Sequence, residues 1–241
     1  MRTERVVLQF ARDAQGEALS LTLREPCGQD ELSVLGVDTL SAVELLDRLV
    51  EGTPHPNPPV LQMVARDRDA LLAALHRLCW GDRIEATLRC PCGEPFDMDF
   101  RLSDLQKQLR ENQQDMEHPW RVPVAEDELA VAALPAKEAV RALARRCGVD
   151  DLEAAAQCLD VLAPILDVDL QATCPECGRS QSTRFDVQSY LLQRVLGERE
   201  NLLDDVHILA SCYGWSLGEI LDLPRGTRQS LVRRIPDGRL A

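Results

Sequence analysis

Aromatic side chains are scarce in this sequence: three Trp, two Tyr and four Phe make up 4% of its 241 residues. Sugar-binding platforms and base-stacking surfaces are built from such rings, so neither is expected. Positive charge is also in deficit, with 27 Lys and Arg against 40 Asp and Glu and a net charge of −13. An acidic chain is repelled by phosphate backbones, which disfavours nucleic-acid binding. No apolar run is long enough to cross a bilayer, and residues 1–9 lack the pattern of a secretory signal, so the chain reads as a soluble cytoplasmic protein. There is no phosphate-binding glycine loop, no dinucleotide glycine motif and no nucleophile–base pair. Nothing in the sequence argues for an enzyme or for a small-molecule substrate.

What is present points elsewhere. Hydrophobic residues make up 45%, enough for a substantial core. Nine cysteines in a chain without a signal fit a reducing compartment, where they serve as ligands or small core residues rather than disulfides. The fold class expected is α+β and mainly helical. Alternation predicts strands over 6–10 and 19–23, with Gly16 in the turn. Ser41-Ala-Val-Glu44 reads as a capping box for a helix that Gly52 ends, followed by an extended loop with Pro54, Pro56, Pro58 and Pro59. Leu71, Leu75, Leu78 and Cys79 predict a helix stopped by Gly81. A polar connection is expected over 106–118. Val140, Leu143, Ala144 and Cys147 mark one middle helix, with Pro135 in its first turn and Gly148 after it, and Asp150 with Glu153 starts another. Near the end, Leu202, Val206, Leu209, Ala210 and Tyr213 form a stripe closed by Gly214. Ser216-Leu-Gly-Glu219 is a second capping box, and Pro224 opens a last helix with Leu231, Val232 and Ile235 inward. These readings divide the chain into 1–81, a first hairpin over 82–105, a helical insertion over 106–167, a second hairpin over 168–191 and a helical module over 192–241.

The two hairpins carry the chemistry. Ile84-Glu-Ala-Thr-Leu-Arg-Cys90-Pro-Cys92-Gly, running on to Phe100, parallels Val168-Asp-Leu-Gln-Ala-Thr-Cys174-Pro-Glu-Cys177-Gly, running on to Phe185. A β-branched residue precedes each first Cys by six positions, and a Phe follows each second Cys by eight. A tight Cys-Pro turn points two thiols at one place, and two such turns give the four thiolates of a structural zinc site, in a zinc-ribbon-like module. Cys90, Cys92, Cys174 and Cys177 are the candidate ligands. The Cys90/Cys92 spacing is one residue short, so the alternative is a degenerate site, empty or completed by another residue. Four thiolates leave no open position for a catalytic water, and no thioredoxin-like context argues for redox dithiols. Cys79, Cys147, Cys158 and Cys212 read as core residues, Cys27 has no assignment, His55 and His118 read as surface, and His76 gets no role. The basic end, with Arg225, Arg228, Arg233, Arg234 and Arg239 against Asp237, reads as a solvated helix face or a surface for an acidic partner.

The stretch Val206-His-Ile-Leu-Ala-Ser-Cys-Tyr213-Gly-Trp215-Ser-Leu-Gly-Glu219-Ile-Leu-Asp-Leu223-Pro224, followed by Arg228 and Leu231, resembles the signature of the baseplate hub assembly proteins of T-even-type phages and of phage-tail-derived contractile injection systems. The order of the earlier helices, Trp80-Gly-Asp-Arg-Ile-Glu85 and the two Cys-Pro knuckles extends the resemblance over about 35–235. It implies a non-enzymatic assembly chaperone or minor hub component. The partners implied are a baseplate hub, spike or tape-measure protein, and whether the protein stays in the finished particle is left open. A C-terminal three-helix module would dock the partner through Tyr213, Trp215, Ile220, Leu223 and Arg228. The spacing also allows Trp215 to staple onto Ile220 in the core, which is the preferred placement, with His207 as a packing or hydrogen-bonding residue. The alternative reading is a zinc-ribbon nucleic-acid-binding regulator.

Overall fold

The computed structural model describes residues 1–12, 15–51, 60–114 and 116–235. Gly52, His55, the four loop prolines, Asp237 and Arg239 lie outside the described residues.

Strands β1 (Thr3–Arg12) and β2 (Ala18–Arg24) pair antiparallel, with Val6 opposite Leu21, and β3 (Val50–Glu51) adds to the free edge of β2. Their alternation buries Val6, Leu8, Leu21 and Leu23. The short helix α1 (Gly28–Ser33) and then α2 (Thr39–Leu49) follow. The cap of α2 is Asp38, whose carboxylate accepts the Ser41 amide at 2.8 Å, so Ser41 is a first-turn residue and not the expected cap. An Asp oxygen reaches the free first-turn amides without competition from its own donor.

Helix α3 (Ala65–Trp80) is the axis of the body, with β1 on one side and α8 (Val187–Gly197) on another. Leu71 through Leu75 are all buried, and Gly81 ends the helix. Charge is buried here too. Asp67 accepts the amides of Gln9, Phe10 and Ala11 at 2.7, 3.1 and 2.9 Å, at the point where the β1–β2 register is interrupted. An irregular strand loses ladder partners, and this carboxylate replaces them. Asp69 accepts the Leu166 amide at 2.7 Å. Burial pushes the Asp69 carboxyl up to about 7.

Two hairpin–helix units follow one plan. Strands β4 (Arg83–Arg89) and β5 (Pro95–Arg101) lead into α4 (Leu102–Asn112), while β6 (Asp167–Thr173) and β7 (Ser180–Asp186) lead into α8. In each unit the first helical residue donates back to the residue before the hairpin, Leu102 to Asp82 O and Val187 to Leu166 O, both at 3.0 Å. Between them lie α5 (Ala125–Val131), α6 (Ala136–Cys147) and α7 (Leu152–Leu162), with Asp151 capping α7. The expected polar connection over 106–118 is instead helical as far as Asn112, because Leu102, Leu105 and Leu109 form a stripe against the core. The chain ends in α9 (Arg199–Tyr213), α10 (Leu217–Leu221) and α11 (Arg225–Val232). The α9 stripe holds at Leu202 and Leu209 but reaches the surface at Tyr213. In α11 the fully enclosed side chains are Arg225 and Arg228, whereas Leu231, Val232 and Ile235 are half-buried. No helix among the described residues is long and apolar enough to cross a membrane.

His76, wholly buried on α3, has Nδ1 2.9 Å from the Gly81 carbonyl, so Nδ1–H donates and Nε2 is free to accept from Arg194 at 3.2 Å. Burial, aided by Arg194, pushes its pKa down to about 4 from 6.5. Between those values the unfolded chain holds a proton that folded His76 refuses, so this contribution to stability rises with pH. Asp69 acts oppositely: between 3.8 and about 7 the folded chain holds a proton the unfolded chain has lost, and stability falls as pH rises. The two offset one another in their common window. In Asp69→Asn the offset is gone, and urea-unfolding stability should climb with pH more steeply than in the parent chain, by about 1.4 kcal/mol per pH unit. Equal slopes would mean that folded Asp69 is already ionised.

Candidate metal centre

An isolated two-stranded hairpin is at best marginally stable in water. Here β4–β5 and β6–β7 are separate two-stranded sheets with no ladder between them, so side chains must hold them together. At the base, Phe100 and Phe185 meet edge to face with ring centroids 5.0 Å apart. These are the two Phe residues that occupy equivalent places in the repeat. Above them Phe96 forms a small apolar plug with Cys90 and Cys174, flanked by Leu88 and Ala172.

At the tip the four predicted cysteines converge. Their sulfurs all lie within 4.8 Å of one another, the one cluster of potential metal ligands found among the described residues. Cys90 Sγ is 3.5 Å from Cys177 Sγ, and Cys92 Sγ is 3.9 Å from Cys174 Sγ. A tetrahedron with metal–sulfur bonds of about 2.3 Å has edges of about 3.8 Å, so an ion fits with small adjustments. The first Cys of each knuckle is buried and the second exposed, and each close pair joins one of each kind across the two hairpins.

The turns explain how unequal spacings reach one point. Around Cys90 the hairpin closes with Cys90 N donating to Glu94 O at 2.9 Å and Gly93 N to Cys90 O at 2.8 Å. Around Cys174 it closes one residue later, with Cys174 N to Arg179 O at 3.0 Å and Gly178 N to Cys174 O at 2.9 Å. The missing residue of the first knuckle is absorbed by Gly93 at φ +102°, against +69° at Gly178, both in the region that favours glycine. The short spacing therefore does not prevent convergence.

The thiols perturb each other. The Arg179 amide and then the Cys90 thiol, by hydrogen bonding, pull Cys177 down to about 7. At Cys90 the Cys92 amide acts downward, but desolvation and the neighbouring thiols outweigh it and push that group up to about 12. A ring of thiols sharing protons in this way releases them when a cation arrives. Of the remaining cysteines, Cys147 is buried and Cys27, Cys79, Cys158 and Cys212 are half-buried. Cys27 precedes α1 as its N-cap, with its backbone amide donating to Asp30 at 2.9 Å.

The five residues expected to dock a partner divide. Tyr213 and Trp215 stack with centroids 5.0 Å apart and are 44% and 36% exposed, so Trp215 is not a core residue. Leu223 is half-buried, and His207 is exposed. Ile220 and Arg228 are corrected to interior residues, since each is enclosed by this chain. Arg228 donates to Glu31 at 2.5 Å and to Asp205 at 3.2 Å, and Arg225 bonds to Glu31 and Glu198. Glu198 also accepts from Trp80 Nε1 at 2.7 Å, and the Trp80 ring has Arg194 and Arg225 at 4.7 and 4.8 Å. The approach is so close that a Cβ on Gly28 would lie 2.7 Å from Leu221 Cδ2. This network was missed because charged residues were assigned to the surface. The signal available was Arg225 and Arg228 falling one turn apart on a single face.

Removing one partner from a buried ion pair strands the other charge. Arg228→Ala should therefore lower unfolding stability by about 3 kcal/mol in urea titration, whereas exposed Arg234→Ala should change it by less than about 0.5 kcal/mol. Equal effects would contradict an interior role for Arg228. Comparison with models of known families, with curated proteins and with solved structures gives no match.

Proposed function

We propose that this chain is a non-enzymatic assembly factor that binds protein partners during construction of the baseplate of a contractile phage-tail-like injection system. Its partner would be a hub, spike or tape-measure protein. The observation that carries this reading is the exposed stacked pair Tyr213–Trp215 with Leu217, 57% exposed, beside it in sequence. Rings and a leucine left in water on the stretch that resembles the baseplate hub assembly family are what a docking surface requires. In this reading α9, α10 and α11 form the three-helix docking module. The nucleic-acid alternative has less to stand on, because Arg225 and Arg228 of the basic end are neutralised inside the chain.

The hairpins in this proposal form a zinc-ribbon-like module around one structural zinc held by Cys90, Cys92, Cys174 and Cys177. Support comes from the sulfur separations and from the donor set, since four thiolates in a tetrahedron suit zinc and leave no open position. The ion's part is to tie together two hairpins that lack a shared ladder.

Two measurements test these statements. Elemental analysis of the purified chain should return one zinc per chain, and Cys92→Ser and Cys174→Ser should each lower zinc retention against a chelator. Metal-free protein with an unchanged melting curve would refute the staple. Affinity purification from cells expressing the neighbouring genes should enrich a hub, spike or tape-measure protein. The Tyr213→Ala/Trp215→Ala double variant should reduce that enrichment about tenfold while its melting temperature stays within a few degrees. Recovery of nucleic acid or transcription machinery in place of a tail protein would overturn the assembly reading.

A further inference from the structure

Between α3, α4 and the α6–α7 pair lies a partly open cavity of 580 Å³. That volume is in the usual range for small-molecule sites, roughly 300–1,000 Å³. Its walls are mainly apolar, with Leu109, Leu143, Leu159, Ile165 and Val168 among them. A second apolar hollow of 120 Å³ shares Leu143 and Leu159 and extends between α6 and α7.

One polar group in this lining is unusual. Four arginines of the described chain are deeply buried: Arg66, Arg68, Arg225 and Arg228. Arg68 is paired with Glu128, Arg225 with Glu31 and Glu198, and Arg228 with Glu31 and Asp205. Arg66, 4% exposed and lining the cavity, has a single hydrogen bond, from Nε to the neutral Gln9 Oε1 at 3.0 Å, and no ion pair among the described residues. Burying a guanidinium without a counter-charge is costly. Burial lowers its pKa, Asp69 and Asp67 act against that from nearby on α3, and Arg110 lowers it further.

The nearby acids are committed elsewhere. Asp67 holds the β1 amides, Asp69 holds Leu166, Glu128 holds Arg68, and Asp167 is bonded to Arg184. Asp160, exposed on α7, lines the cavity together with Glu128 and Asp167. What remains is a mainly apolar cavity whose one buried cation, Arg66, makes no ion pair among the described residues.

We propose that this cavity binds an aliphatic chain bearing one carboxylate, with the chain against Leu109, Leu143 and Leu159 and the carboxylate on Arg66. Guanidinium–carboxylate pairing is geometrically favourable, since two parallel N–H donors match the two carboxylate oxygens. The inference stands on the cavity and Arg66, independently of the assembly reading.

The test is a methyl NMR titration of the full chain, as purified, with dodecanoate and with dodecanol, both kept below their aggregation concentrations. Dodecanoate should shift the methyl signals of Leu109, Leu143, Leu159 and Ile165 saturably, and dodecanol should bind about tenfold more weakly. Arg66→Gln should erase that preference. Leu143→Trp, which leaves Arg66 in place and fills the cavity, should abolish binding of both probes. The comparison of acid with alcohol needs no variant, so the proposal stays testable even if Arg66→Gln does not fold. Absence of dodecanoate shifts, equal affinity for acid and alcohol, or undiminished binding to Leu143→Trp would overturn it.

Discussion

Two hairpins far apart in sequence must present four sulfurs to one point, and much of the chain's path follows from that requirement. The segment between them has to leave β5 and return to β6 nearly where it started. It does so as helices, closed across its mouth where Gln114 N donates to Val161 O at 2.8 Å and Arg121 N donates to Cys147 O at 3.1 Å. Below the sulfurs the contact passes to the Phe96 plug and then to Phe100 against Phe185, where it joins the main core. The sequence of supports therefore runs from thiols through a narrow apolar neck to the central helix α3.

A second principle operates where the last helices meet the first, and there charge rather than sulfur makes the connection. Glu31 near the start of the chain is gripped by two arginines from α11, and Trp80 at the end of α3 lies against Arg194 and Arg225. Buried ion pairs of this kind add little net stability compared with apolar packing, but an arrangement that separates the partners strands a buried charge. The close approach at Gly28 adds a steric condition to the electrostatic one. Together they fix how the last helices sit on the first ones and leave Tyr213 and Trp215 facing outward.

The parts of this architecture that could be read from sequence are those whose chemistry is local. The knuckles announced themselves through Cys-Pro and the following glycine, and the equal offsets of Phe100 and Phe185 marked a pair that proved to touch. The strands of β1 and β2 and the buried stripe of α3 followed from period alone. The misreadings arise where distant partners change the meaning of a residue. Arg225 and Arg228 look like a solvated face until Glu31, Glu198 and Asp205 are brought alongside. The Leu102, Leu105 and Leu109 stripe is diluted by Ser, Asp, Gln and Lys between its members, so α4 passed for a loop. Ser41 fits a capping pattern that Asp38, three residues earlier, satisfies better. Trp215 could have stapled inward, but Tyr213 takes its face instead.

The distance along the chain between Glu31 and its arginine partner also has a consequence in time. The two are 194 positions apart. At synthesis rates of about 5–20 residues per second, some 10–40 s separate the making of one from the making of the other. Through that interval Glu31 lacks the two guanidiniums that hold it in the folded chain, and an ionised carboxylate is not easily enclosed alone. The buried network around α1 is thus completed only once α11 has been made.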